Sequence, residues 1–180
     1  MELTRSRITG AAIDQIERDG AAAFSMPGLA SELGCGVVPL YGRMPSKAAL
    51  LDRVAAVVMS KIELTARLGH EAGWKDRVFA EARAFREVGT EHPQCAVLAA
   101  CRTRGSGGPQ APAEGAAAAL SDAGFDRADS ARIASAIRAY VLGSVVRDAC
   151  LAPETPADED FEFGLDLLLR AAAELLSAGG

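Results

Sequence analysis

The sequence is poor in the residues that catalyse reactions or bind metals. Of its 180 residues only two are histidines, and its four cysteines include no C-x-x-C pair. His92 and Cys95 lie close together in sequence, but a proline separates them and no third group is placed to orient the histidine. The glycine-rich run at 105–108 lacks the lysine and helix start that a phosphate-binding loop needs. We therefore predict no enzyme activity, no catalytic residue, no metal site and no cofactor.

Long apolar runs and an excess of positive charge are missing as well. No stretch of about 18 apolar residues is present, and no signal-peptide pattern opens the chain. We therefore expect no membrane partner. The net charge of −5 excludes a general polyanion binder. Unpaired cysteines suit a reducing compartment, so we expect a cytoplasmic protein. Cys95 and Cys101 fit buried structural thiols or a redox pair.

The residues that dominate the sequence are alanine and leucine. Apolar residues make up 49% of the chain and aromatic residues only 5%. No run of alternating β-branched residues appears, as a half-buried strand would require. The composition therefore predicts an all-α protein with a sizeable core.

The most informative stretch runs from residue 25 to residue 51. Ser25 can cap a short helix, and Gly34 can end that helix because glycine tolerates a left-handed backbone. A second short helix restarts near Val37, with Pro39 in its first turn, where no intrahelical N–H is needed. Leu40 then points back to the core. Two short helices joined through a glycine are typical of a helix-turn-helix.

This stretch resembles the TetR family of bacterial transcriptional repressors. The residues that carry the resemblance are Ser25-Met26, Leu29-Ala30, Leu33-Gly34, Leu40-Tyr41, Pro45-Ser46-Lys47 and Leu50-Leu51. The resemblance implies an N-terminal three-helix helix-turn-helix DNA-binding domain over residues 1–47. It also implies a C-terminal helical bundle for ligand binding and dimerisation over residues 48–180.

The resemblance assigns a set of candidate DNA-binding residues. They are Ser25, Met26, Val37, Val38, Pro39, Tyr41, Arg43 and Lys47. Tyr41 and Lys47 match the family's phosphate-contacting positions, although Tyr41 also fits a half-buried packing residue. The second short helix departs from the family, because Val37 and Val38 stand where polar side chains are common. Apolar groups cannot hydrogen-bond to base edges, but they can pack on a thymine methyl group.

Apolar spacing and helix-breaking residues predict the remaining helices. They are Leu3–Asp19, Lys47 to about Leu68, Trp74–Glu91, Pro93–Arg102, Ala113–Asp122, a helix from Phe125-Asp126 to about Ala149, and Phe161–Leu176. Residues 104–112 and 151–160 are predicted loops. The run FEFGLDLLL in the last helix looks like the closing helix of tetracycline-repressor-type C-terminal domains, which pair in a four-helix bundle.

Two further sets of residues are predicted in the C-terminal domain. Aromatic walls with a few polar groups are typical of a ligand cavity, and the candidates are Phe79, Arg83, Phe85, His92, Arg102 and Tyr140. The alternative is that these side chains simply fill the core. The candidate dimer interface consists of Ile137, Val141, Gly143, Phe161, Leu165 and Leu168.

The sequence thus predicts a homodimeric repressor that binds double-stranded DNA at an inverted-repeat operator. A small-molecule ligand, whose identity the sequence does not give, would release the repressor from its operator. The alternative is a helical ligand- or protein-binding module whose helix-turn-helix does not read DNA.

Overall fold

The computed structural model describes residues 2–66, 72–102, 113–150 and 157–178, and helix is the only regular secondary structure in these ranges. The helices are α1 (Arg5–Asp19), α2 (Met26–Glu32), α3 (Val37–Arg43), α4 (Lys47–Thr65), α5 (Trp74–Glu91), α6 (Pro93–Arg102), α7 (Ala113–Asp122), α8 (Arg127–Cys150) and α9 (Ala157–Ala178). The all-α prediction is confirmed. The predicted bounds of α5, α6 and α7 match those observed.

Local capping explains where several helices begin. The Thr4 hydroxyl accepts a hydrogen bond from Arg7 N at 3.2 Å, so α1 begins at Arg5 and not at Leu3. The Asp126 carboxylate accepts from Asp129 N at 2.7 Å at the start of α8. Thr4 and Asp126 are typical N-cap residues, because their side-chain oxygens can accept from a backbone N–H of the first turn.

The start of α9 corrects the sequence analysis. The acidic residues before Phe161 were expected to form a loop, but the helix begins at Ala157 and places Asp158 and Asp160 in its first turn. Negative charge is favourable there because the N-terminus of a helix carries a partial positive charge. Asp158 also forms an ion pair with Arg86 of α5. The predicted loop at 104–112, and residues 151–156 of the second loop, lie outside the described residues.

Contacts divide the chain into two compact units. The first comprises Met1–Met59 and His92–Pro109 and contains α1, α2, α3, most of α4, and α6. Its largest fully buried side chains are Ile8, Ile16, Phe24, Leu29, Leu40, Leu50, Val54 and Val58. Glu17 of α1 holds α6 in this unit: its two carboxylate oxygens accept from Cys95 N at 2.8 Å and Gln94 N at 3.2 Å.

The second unit comprises Ser60–Glu91 and Gln110–Gly180. In it α5, α7 and α8 pack on one another, and α9 packs on α8. Helices α5 and α8 approach closely at Gly89, where an added Cβ would lie 2.7 Å from Cγ2 of Val145. A second close approach brings the Tyr140 ring of α8 directly against Gly164 of α9.

The two units are defined by contacts between residues. Such contacts do not establish where one functional domain ends and the next begins. The boundary expected between residues 47 and 48 therefore stays a prediction. Within the described ranges, no helix combines the length and apolar character needed to cross a bilayer.

Candidate DNA-binding and ligand-binding sites

The turn between α2 and α3 has the backbone geometry that the sequence predicted. Gly34 adopts a φ of 64°, a left-handed conformation that favours glycine. Cys35 N donates to Ala30 O at 2.9 Å across the turn. The Ser25 hydroxyl accepts from Gly28 N at 3.2 Å and so caps α2. The two helices form a compact pair with α3 presented on the surface.

Helix α3 buries one side chain and exposes most of the others. Leu40 is completely buried, whereas Val38 is 83% exposed. Pro39, Gly42 and Arg43 are exposed, Tyr41 is 45% exposed, and Val37 is half-buried. The outward surface of the first turn is therefore apolar, and the polar side chains lie towards the end of the helix.

Three predicted DNA-binding residues also have roles inside the protein. The Met26 side chain is buried, so it is unavailable to DNA as the unit stands. Lys47 donates to the backbone oxygen of Phe24, and its Nζ lies 5.4 Å from the centroid of the Phe24 ring. Ser25 accepts the cap hydrogen bond described above. The DNA-binding roles of all eight residues stay predictions.

The predicted ligand-binding residues do not share one cavity in the second unit. Phe85 lines a cavity of about 30 Å³ between α5, α7 and α8, which is room for one or two water molecules. Arg83 instead lines a larger, charged cavity of about 410 Å³. That cavity is bounded by Arg83, Arg86, Glu87, Thr90, Glu91, Asp158, Phe161 and Glu162.

The other ligand candidates have structural partners or lie elsewhere. Tyr140 stacks on the Phe161 ring at 5.6 Å and donates to Phe161 O at 3.0 Å. Phe79 is half-buried on α5. His92 and Arg102 belong to the first unit, where Arg102 pairs with Asp52 at 2.7 Å.

The sequence analysis missed Glu81, which faces the smaller cavity. Its carboxylate lies against Gly115 and accepts a hydrogen bond from the backbone N–H of Ala116. Burial raises the pKa of Glu81 to about 7, although the positive charge of Arg138 opposes this shift. A signal was present, because Glu81 falls within the inward-facing apolar spacing of α5 between Val78 and Phe85.

The structure places the six dimer-interface candidates in different surroundings. Four of the six candidates, Ile137, Val141, Phe161 and Leu165, are buried within the chain's own second unit. Their side chains pack inside this unit, and the dimer role of all six candidates stays a prediction. Gly143 is exposed and Leu168 is half-buried. The large apolar side chains left exposed on α8 and α9 are Val146, Phe163, Leu167 and Leu175.

The described helices thus define an all-α protein with a helix-turn-helix near its N-terminus. The family described as "Tetracyclin repressor-like, C-terminal domain" matches residues 68–156. Together with the helix-turn-helix, this match places the chain in the TetR family.

Individual relatives agree with this placement. An HTH-type transcriptional regulator of Saccharopolyspora erythraea is 34% identical over 143 residues, which are 79% of this chain. The chain spans only 60% of that regulator's length.

Solved structures of two further relatives are similar over nearly the whole chain. The Q116A variant of TetR from Acinetobacter baumannii AYE, in complex with minocycline, has a TM-score of 0.79 and 27% identity, and the match covers 97% of this chain and 98% of the other. BioQ with its natural double-stranded DNA operator has a TM-score of 0.72 and 25% identity, and the match covers 96% of this chain and 99% of the other.

Proposed function

We propose that this protein is a transcriptional repressor that binds operator DNA through α3. The carrying observation is the geometry of α2 and α3. Leu40 anchors α3 to the first unit, and the opposite side of the helix is exposed. A recognition helix must protrude in this way to enter the major groove. The BioQ structure with its operator supports this proposal.

The first unit has no large excess of positive charge to attract DNA, so local groups must contact the phosphates. Arg43 is exposed at the end of α3. Lys47 can reach phosphate once it leaves the Phe24 carbonyl, and Tyr41 offers a hydroxyl group. Phosphate contacts of this kind position a protein on DNA without reading its sequence.

We further propose that the protein acts as a homodimer. Phe163 and Leu167 are 68% and 51% exposed and lie one turn apart on α9. Apolar side chains on one helix face favour a helical partner, and a second copy would give two heads for an inverted repeat. Val146 on α8 is a further exposed apolar side chain.

Release by a small-molecule ligand is the regulatory part of the proposal. The similar TetR structure contains bound minocycline, and this supports the presence of a small-molecule site in the present protein. A ligand shifts an equilibrium only if it prefers the conformation that does not bind DNA. By linkage, operator DNA must weaken ligand binding by the same factor.

The deciding experiment is a titration of the full chain against DNA taken from around its own gene, followed by fluorescence anisotropy. We expect saturable binding to one fragment that a large excess of unrelated DNA does not displace. The paired control is Leu40→Glu, which places a charge in the packing of α3 and should abolish binding. Equal affinity for specific and unrelated fragments would overturn the repressor proposal.

The second candidate function is a helical binding module that does not read DNA. The engagement of Lys47 with Phe24 and the apolar first turn of α3 favour it. The same titration distinguishes the two, because this module would bind no fragment specifically.

A further inference from the structure

We infer that Val38 selects operator half-sites by packing on the C5-methyl group of a thymine in the major groove. The inference rests on the proposed DNA-binding function and specifies which bases α3 recognises. The observation behind it is that the exposed residues of the first turn of α3, Val38 and Pro39, carry no hydrogen-bonding side chain.

The exposure of α3 identifies which side chain would make the contact. Val37 is half-buried, and the exposed Pro39 side chain is a ring closed onto its own backbone nitrogen. Val38 is 83% exposed, so nearly its whole isopropyl group is free to contact another molecule. Among the large hydrophobic side chains of α3, Val38 is therefore the most exposed.

The neighbouring turn leaves space for a base. Gly42 lies one turn after Val38 on the same side of α3, and an added Cβ there would meet nothing within 4 Å. The missing side chain leaves the surface beside Val38 open. A methyl group that projects from the floor of the groove can approach Val38 from the side of Gly42.

Base chemistry then determines what this surface can recognise. The N-terminal residues of a recognition helix contact base edges. Adenine, guanine and cytosine present hydrogen-bonding groups in the major groove, which Val38 cannot satisfy. Among the four standard bases only thymine adds an apolar group, its C5-methyl. Burying this methyl against Val38 removes apolar surface of both partners from water.

The polar side chains of α3 lie in its second half. Arg43 is in the last turn, and Tyr41 is only partly exposed. These positions suit phosphate contacts, which fix the orientation of the helix. Specificity through Val38 and positioning through Arg43 are therefore separable by mutation.

The test uses DNA that the protein itself selects. Full-length wild-type chain is used to enrich duplexes from random-sequence DNA, and each thymine of the enriched half-site is then replaced singly by deoxyuridine. This substitution removes only the C5-methyl group and keeps base pairing. We expect one position at which affinity falls about fourfold, and about fifteenfold when both half-sites are changed.

The Val38→Ala variant completes a double-mutant cycle. Its affinity for uracil-containing and thymine-containing DNA should differ by less than about twofold at that position, because the methyl has lost its partner. The matched control is Val57→Ala, at a half-buried valine of α4. This variant should still lose affinity about fourfold when uracil replaces thymine at that position. Circular dichroism checks that Val38→Ala folds, as the exposure of Val38 predicts.

The outcomes separate the inference from the proposed function. If duplexes are enriched but no uracil substitution weakens binding, the inference is wrong, the proposed function stands, and DNA shape carries the specificity. If the loss is equal in wild type and Val38→Ala, another residue contacts the methyl and the inference is again wrong. If no duplex is enriched, both the inference and the proposed function fail.

Discussion

The Glu17 carboxylate of α1 accepts a hydrogen bond from the backbone N–H of Cys95, 78 residues further along the chain, at 2.8 Å. The first N–H groups of a helix have no intrahelical partner. Glu17 therefore caps α6 from another helix, and its negative charge is favourable at that helix N-terminus.

This contact predicts the effect of Glu17→Ala. The change should lower the free energy of unfolding by about 1–2 kcal/mol, because it leaves partly buried N–H groups without an acceptor. Chemical denaturation monitored by circular dichroism measures the difference. Asp14→Ala removes an exposed carboxylate from the same helix and should change stability by less than about 0.5 kcal/mol. Equal losses in the two variants would contradict the capping role.

A second prediction concerns the close approach of α5 and α8. A methyl group at Gly89 would lie 2.7 Å from Val145, so Gly89→Ala should destabilise the second unit by about 1–2 kcal/mol. The greater helix propensity of alanine offsets part of the strain. The double variant Gly89→Ala/Val145→Ala should lose less than the sum of the single changes.

The control for this prediction is Gly10→Ala, in the middle of α1. An added Cβ at Gly10 meets nothing within 4 Å, so this change should raise stability by up to about 1 kcal/mol. Thermal unfolding compares all four variants. A stabilising Gly89→Ala would show that the helices separate easily at this point.

The third prediction follows from the raised pKa of Glu81. The ordinary value of 4.5 applies to the unfolded chain, whereas burial raises the folded value to about 7. Between these values the folded state holds more protons than the unfolded state, so stability falls as the pH rises from about 4.5 to about 7. The full destabilisation, up to about 3 kcal/mol, is present above pH 7 and absent below pH 4.5.

Glu81→Gln should remove this pH dependence, because glutamine does not ionise. The difference in unfolding free energy between wild type and variant, measured from pH 4 to 8, isolates Glu81 from other titrating groups. Arg138 and Glu63, which also act on the pKa of Glu81, are unchanged in the comparison. A difference that does not vary with pH would disprove the raised pKa of Glu81.

A fourth prediction concerns phosphate contacts. Arg43→Ala and Lys47→Ala should each weaken binding to all DNA sequences similarly and reduce the salt dependence by about one unit per half-site. Lys47→Ala should also lower stability, since it removes the hydrogen bond to the Phe24 carbonyl. Titrations at several salt concentrations measure the slope. Arg132→Ala, an exposed arginine of α8, should leave the slope unchanged.

The last prediction tests the proposed dimer surface. Leu167→Arg should convert the dimer to a folded monomer, because Leu167 is 51% exposed in the single chain and its substitution leaves the core intact. Light scattering gives the mass and circular dichroism gives the helix content. The control is Arg127→Glu, which reverses the charge of an exposed residue on α8. This variant should remain dimeric. A wild-type protein that is already monomeric would contradict the proposed dimer surface.

Much of the fold could be predicted because its determinants are local. Thr4, Ser25 and Asp126 cap helices through hydrogen bonds to residues three positions away. Gly34 ends α2 through its own backbone conformation. The start of α9 was predicted wrongly because acidic residues suit both a loop and the first turn of a helix, and the ion pair of Asp158 with Arg86 spans 72 positions.

The candidate sites were less predictable. The sequence identified α3 and its outward side chains, because Leu40 alone had to face the core. It also placed the candidate dimer contacts on α8 and α9. It did not show that Phe161 and Leu165 pack inside while Phe163 and Leu167 remain exposed.

The sequence by itself determined the helices, the helix-turn-helix and the resemblance to the TetR family. These follow from apolar spacing, caps and breakers, which act within about one helical turn. Only the tertiary structure decided that Glu17 caps α6, that Glu81 lies against Gly115, and that Lys47 binds the Phe24 carbonyl. Each of these contacts joins residues far apart in sequence, and their meeting depends on how whole helices pack.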